Sequence, residues 1–99
     1  MQHLRMATYE ITKGTFQELA DTARTGMLPK FQTQPGFIRY GLADLGDKKC
    51  LSLSVWETRD QAQAASPVAA SWVKENIGDR VALKSDSVND LAFFQGVKV

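Results

Sequence analysis

The order of the strand-like and helix-like segments limits this chain more than any single residue does. Alternation with period two and apolar spacing near 3.6 follow one another as strand, helix, strand, strand, helix, strand. A tight polar turn, Asp44-Leu45-Gly46-Asp47-Lys48, joins the two middle strands. With 99 residues there is room for one split βαβ unit. The expected fold is therefore α+β and ferredoxin-like (β-α-β-β-α-β), a single domain over residues 1–99 with a four-stranded antiparallel sheet.

The first strand is expected over 3–11, with Leu4, Met6 and Thr8 on one side and Arg5, Ala7, Tyr9 and Ile11 on the other. Thr15-Phe16-Gln17-Glu18 fits a capping box, and Phe16, Leu19, Ala20, Ala23 and Met27 mark the buried stripe of the helix behind it. Pro29 predicts a bend near Gly26 and a short second piece around 30–33. Pro35-Gly36 is a turn that launches the second strand, Phe37 to Asp44. In the third strand Leu51, Leu53 and Val55 alternate with Cys50, Ser52, Ser54 and Trp56, so one face is aliphatic and the other carries hydroxyls and an indole. Thr58 to Gln61 is a second capping box. Ser66-Pro67 reads as a fresh helix start, dividing the second helix into pieces of about 59–65 and 67–77, with Gly78 as the stop. The last strand is expected over 80–94, with a bulge at Asn89-Asp90.

Composition removes several function classes. Twelve basic and eleven acidic residues give a formal charge of +1 without a basic stripe, so nucleic acid has little to hold. No apolar run reaches the ~20 residues of a membrane span. The first five residues lack a signal-peptide core, and Cys50 is the only cysteine, so a reducing cytoplasm is the expected location. Glycine patterns for phosphate or dinucleotide binding are missing, and one cysteine with one histidine cannot build a zinc site. No cofactor is implied.

Helices on one side of a small sheet leave its other side bare. Apolar surface in water is unfavourable by about 25 cal/mol per Å², so the bare side is expected to meet a second copy in a homodimer. The covered side is where a pocket belongs. Trp56 and Trp72 are its expected walls, with Ser52 and Ser54 on the same side as Trp56 and Asn76 near the end of the second helix. Arg39 and Tyr40 lie on opposite faces of the second strand, and either one can serve as the polar partner of a ligand oxygen; Tyr9 is a further proton-transfer group. Arg5 and Arg39 are expected to pair with Glu10 or Glu57. His3, the only histidine, lies at the start of the chain and reads as a strand or surface residue.

Pro35-Gly36-Phe37, the strand end Ser52-x-Ser54-x-Trp56-Glu57-Thr58, and the alanine-rich helix with Ser66-Pro67 and Trp72-Val73 resemble the antibiotic biosynthesis monooxygenase (ABM) superfamily over roughly residues 3–94. The resemblance implies a dimeric α+β barrel with one pocket per subunit, between the sheet and its own helices. Members of that superfamily oxidise aromatic phenols with molecular oxygen and no cofactor, degrade haem, or isomerise small signal molecules. Haem degradation needs a helical histidine, and this chain has none. The expected activity is a cofactor-free monooxygenase acting on a small phenolic or quinol-like substrate, with Ser54, Arg39 or Tyr40 as the polar group and Trp56, Trp72, Ser52 and Asn76 as binding residues. The alternatives are a non-catalytic dimer binding a small aromatic or apolar ligand, and an isomerase of a small carbonyl compound with His3 as base. Both ligand-binding readings call for a cavity of roughly 300 Å³.

Overall fold

The computed structural model describes residues 2–96. Its elements follow the expected order: β1 (His3–Ile11), α1 (Phe16–Gln32), β2 (Phe37–Gly46), β3 (Lys49–Trp56), α2 (Arg59–Asn76) and β4 (Val81–Asp90). The strands form one antiparallel sheet in the order β2-β3-β1-β4. Both helices cover the face that carries Arg5, Ala7, Tyr9 and Ile11, and the core lies between them and the sheet.

Both capping boxes form. The Thr15 hydroxyl accepts from the Glu18 N–H while Glu18 reaches back to the Thr15 backbone, and Thr58 and Gln61 repeat the arrangement. The Pro-Gly-Phe turn and the Trp-Glu strand end prove to be one joint. The Glu57 N–H donates to the Gly36 carbonyl at 2.9 Å. Gly36 has φ +79°, and a Cβ there would overlap the capping amide of Gln61, so both the conformation and the space require glycine.

Several sequence expectations need correction. Neither helix is divided at its proline: α1 runs unbroken past Pro29, and α2 past Pro67. A proline removes one backbone hydrogen bond. The inner stripes Leu19-Ala23-Met27-Phe31 and Ala62-Ala65-Ala69-Trp72 bury continuously across each site, and packing outweighs that local loss. Ser66 is therefore not a cap; its hydroxyl turns to the sheet and accepts from Arg5 Nε at 2.9 Å. Gly78 does not take the left-handed conformation of a helix stop, and Ile77 is the C-cap. The last strand ends at Asp90, so Phe93 and Phe94 lie beyond it. Its irregularity is at Lys84, between partners Thr8 and Tyr9 of β1, rather than at Asn89-Asp90.

The β2–β3 connection is tighter than the five-residue turn read from the sequence. Only Asp47 and Lys48 link the strands, both at positive φ (51° and 59°), as a two-residue hairpin requires. A second irregularity, at Ile38, swings Phe37 onto the helix-covered face beside Tyr40 and Leu42. The opposite face presents Leu4, Met6, Leu51 and Leu53, all half-buried.

Candidate functional site

The helix-covered face has two unlike ends. At one end Phe31, Phe37 and Trp56 interlock, with ring centroids 5.4 to 6.1 Å apart and Phe31 edge-on to Trp56. Trp56 is 1% exposed, and its Nε1 donates to Ser54 Oγ at 2.8 Å. A buried indole N–H must find an acceptor, and Ser54 supplies it.

The other end is hollow. A cavity lies between the sheet residues Tyr9, Tyr40, Leu42, Cys50 and Ser52 and a roof made by α1 (Leu19, Ala23, Met27, Phe31) and α2 (Ala69, Trp72, Val73). Trp72 reaches across to α1 at Gly26, where an added Cβ would stand 2.6 Å from the indole. The glycine thus lets α1 and α2 close over the cavity. In this closed form the cavity measures about 30 Å³, room for about two waters. That is well short of the volume expected from the sequence, so an aromatic ligand enters only when the wall opens.

The polar groups of the cavity are neutral. Burial pushes the Tyr40 phenol up to about 12, against which the Ser52 hydroxyl and the more distant Arg5 charge act only in part. Burial also raises Tyr9, opposed by the charge and hydrogen bonding of Arg5, and it raises the Cys50 thiol, aided by the Asp44 carboxylate. At neutral pH these three side chains are protonated. They are hydrogen-bond donors, and none is a general base.

Arg5 is itself 2% exposed. Besides Ser66, it is held by Asp86, whose Oδ2 accepts from Nη2 at 2.9 Å; Glu10 and Glu57 are not its partners. Buried at Arg5 and open to solvent at Asp86, the pair ties β1 to β4, the Ser66 contact adds α2, and the guanidinium supplies the positive charge felt by Tyr9. Its phase with Ala7, Tyr9 and Ile11 was visible in the sequence; its partners, 61 and 81 residues away, were not.

Of the expected site residues, Tyr40, Ser52 and Trp72 come together at the cavity. Trp56 and Ser54 do not line it, because they are engaged with each other in the packed end. Arg39 faces the other side of the sheet, with its guanidinium 5.9 Å above the Phe94 ring, and no ion pair of Arg39 occurs among the described residues. Asn76 turns back on its own helix, Nδ2 donating to the Trp72 carbonyl at 2.8 Å. His3 lies outside the cavity, where Asp90 Oδ1 accepts from its Nδ1 at 2.7 Å and from Arg59 Nη1 at 2.8 Å. The cavity residues do not suit haem: among them no imidazole is available as axial ligand, and the one thiol is held protonated. No cluster of three or more metal-ligating side chains occurs among the described residues.

The antibiotic biosynthesis monooxygenase family model matches residues 3–67. Among solved structures, MupZ from Pseudomonas fluorescens is similar at TM-score 0.71 and 15% identity, covering 88% of this chain and 69% of that one. SnoaB from Streptomyces nogalater, a cofactor-independent oxygenase, is similar at TM-score 0.67 and 14% identity, covering 99% and 95%. A haem-degrading protein from Mycobacterium tuberculosis is similar at TM-score 0.63 and 17% identity, covering 97% and 100%. No curated protein matches the chain.

Proposed function

We propose that this chain, which belongs to the antibiotic biosynthesis monooxygenase family, is a cofactor-independent oxygenase of a small phenolic or quinol-like substrate. The observation that carries this reading is the floor of the cavity. Tyr9, Tyr40 and Ser52 are neutral donors set among apolar walls, and no ionised base stands among them. Once its wall opens to admit a flat ring, such a site stabilises negative charge as it develops on a ring oxygen. It lowers the pKa of the substrate's own phenol or enol, whose proton passes to water, rather than removing that proton with a strong base.

For an anthrone-like ring the chemistry balances without a cofactor. The enolate carbon bonds to one atom of molecular oxygen, and the O–O bond of the resulting peroxide then breaks. The ring CH2 becomes a carbonyl, and the second oxygen atom leaves as water with the two hydrogens. The protein's part is to orient the ring and to hold the oxyanion through Tyr40 and Ser52. SnoaB, which shares this fold, is a cofactor-independent oxygenase. An oxygen electrode with a panel of anthrones and hydroquinones tests the proposal: enzyme-dependent uptake is expected with at least one, and no uptake with any refutes it.

The second reading is a binding protein without turnover, in which the same neutral donors hold a ligand oxygen and no oxygen chemistry follows. Tight ligand binding without oxygen uptake would select it. The carbonyl isomerase reading needs a base, and His3 stands away from the cavity, bound to Asp90. We also propose that the bare sheet face pairs with a second copy through Leu4, Met6, Leu51 and Leu53. Equilibrium sedimentation at micromolar concentration should show a dimer, and an 11 kDa species alone would contradict it. No helix among the described residues is long and apolar enough to cross a membrane. A cytoplasmic setting, where Cys50 stays reduced, is part of the proposal.

A further inference from the structure

The cavity shares Tyr40 and Leu42 with a second hollow on the outside of the fold. This groove, of about 340 Å³, runs between α1 and the outer edge of β2, the end strand of the sheet. Phe16, Gln17, Ala20, Arg24 and Leu28 form its helix wall. Arg24 follows Ala20 by four residues and precedes Leu28 by four, so it rises from the middle of that wall. Arg24 is exposed and has no ion pair among the described residues. The carboxylate one turn before it, Asp21, accepts from Gln17 Nε2 at 3.0 Å. An unpaired guanidinium beside Phe16, Ala20 and Leu28 in a wall of mixed polarity matches a ligand with an apolar body and one anionic end.

The sizes point the same way. The closed cavity is too small for a ring, and the groove alone is close to the lower limit for a small-molecule site. Tyr40 and Leu42 are the wall that the groove shares with the cavity, so a ligand lying in the groove is next to it. We propose that the groove is a carboxylate half-site: Arg24 holds the acid group of an aromatic carboxylate whose ring is directed past Tyr40 and Leu42 toward the cavity. This rests on the oxygenase reading and narrows its substrate class to aromatic acids. Arg24 is a specificity-determining residue in this scheme and has no part in the oxygen chemistry.

The test is a tryptophan-fluorescence titration with 2-naphthoic acid and with its methyl ester, on the full chain and on Arg24→Gln. The wild-type protein should bind the acid about threefold to tenfold more tightly than the ester, the size of a partly screened charge-assisted hydrogen bond. Arg24→Gln should lower acid affinity to that of the ester and leave ester affinity unchanged. Circular dichroism confirms that the variant is folded, as an exposed helix position allows. Equal affinities in the wild type, a preference retained in Arg24→Gln, or no binding of either compound overturns the proposal. So does acid binding that vanishes at concentrations where the chain self-associates, because the groove would then be a contact between copies. The readout involves no turnover. Oxygen uptake with a neutral anthrone but no preference for the acid removes only the role of Arg24; a preference for the acid without oxygen uptake removes only the oxygenase.

Discussion

The two tryptophans sit on the same covered side of one small sheet and do different work. Trp56 is locked by Phe31, Phe37 and the Ser54 hydroxyl into a dry, interleaved block. Trp72 lies against a bare backbone at Gly26 and borders empty space. The contrast shows that an aromatic residue becomes a pocket wall when its neighbours are small or leave a void. A full set of partners makes the same residue part of the core.

The largest test of that contrast is truncation. Trp56→Ala should destabilise the chain by about 3–5 kcal/mol, since it opens a large void and leaves Ser54 without its donor. That approaches the whole stability of a domain at the low end of the ordinary range, about 5 kcal/mol. Trp72→Phe should cost roughly 1 kcal/mol and should tighten binding of ring-shaped ligands by widening the cavity. Urea denaturation of both variants measures the difference, and equal losses would erase the distinction between the two ends.

A smaller effect is expected at Gly26→Ala. The new methyl gains about 1 kcal/mol of helix propensity but must displace a buried indole. Overpacking costs about 1–3 kcal/mol, so the net change is a loss of about 1 kcal/mol. The displaced Trp72 should also block the cavity, and a variant that binds aromatic ligands as well as the wild type would show that Trp72 does not gate it.

The hollow end also carries a pH signature. The folded Tyr40 phenol titrates near 12 and the unfolded one near 10.0. A raised value means that the neutral form is favoured in the folded state. Its stabilising contribution is complete below pH 10 and is lost as pH rises toward about 12. At pH 10.5 Tyr40 should therefore contribute almost no phenolate absorbance to the native protein, and its absorbance should appear together with unfolding. A titration midpoint near pH 10 for Tyr40 in the folded protein would mean that the cavity is wet and open.

Much of the fold was legible because its signals are local. Each capping box lies within four residues, and alternation alone puts Ser52, Ser54 and Trp56 on one face and sets Arg39 and Tyr40 on opposite ones. The errors fell where local signals met long-range packing. Pro29 carries the local signal of a bend and Ser66-Pro67 that of a fresh start, yet each helix is held by a stripe of buried residues on either side of its proline. Ser66 looked like a cap because its partner, Arg5, lies 61 residues earlier. The irregularity at Ile38, which brings Phe37 to the covered face, leaves no trace in a strand of mixed residues. For the site, spacing could say which face a side chain takes but not whether that spot is filled. Ser54 and Trp56 were correctly placed on the covered side, and only packing shows that they close on each other.

Two single-tryptophan variants test the central claim most directly. In Trp56→Phe the remaining Trp72 reports on the hollow end, and in Trp72→Phe the remaining Trp56 reports on the packed one. An anthrone ligand should quench Trp72 in the first variant by direct contact, and leave Trp56 emission in the second nearly unchanged. Equal quenching of both, or quenching of Trp56 alone, would contradict the division of this sheet face into a sealed block and a ligand cavity.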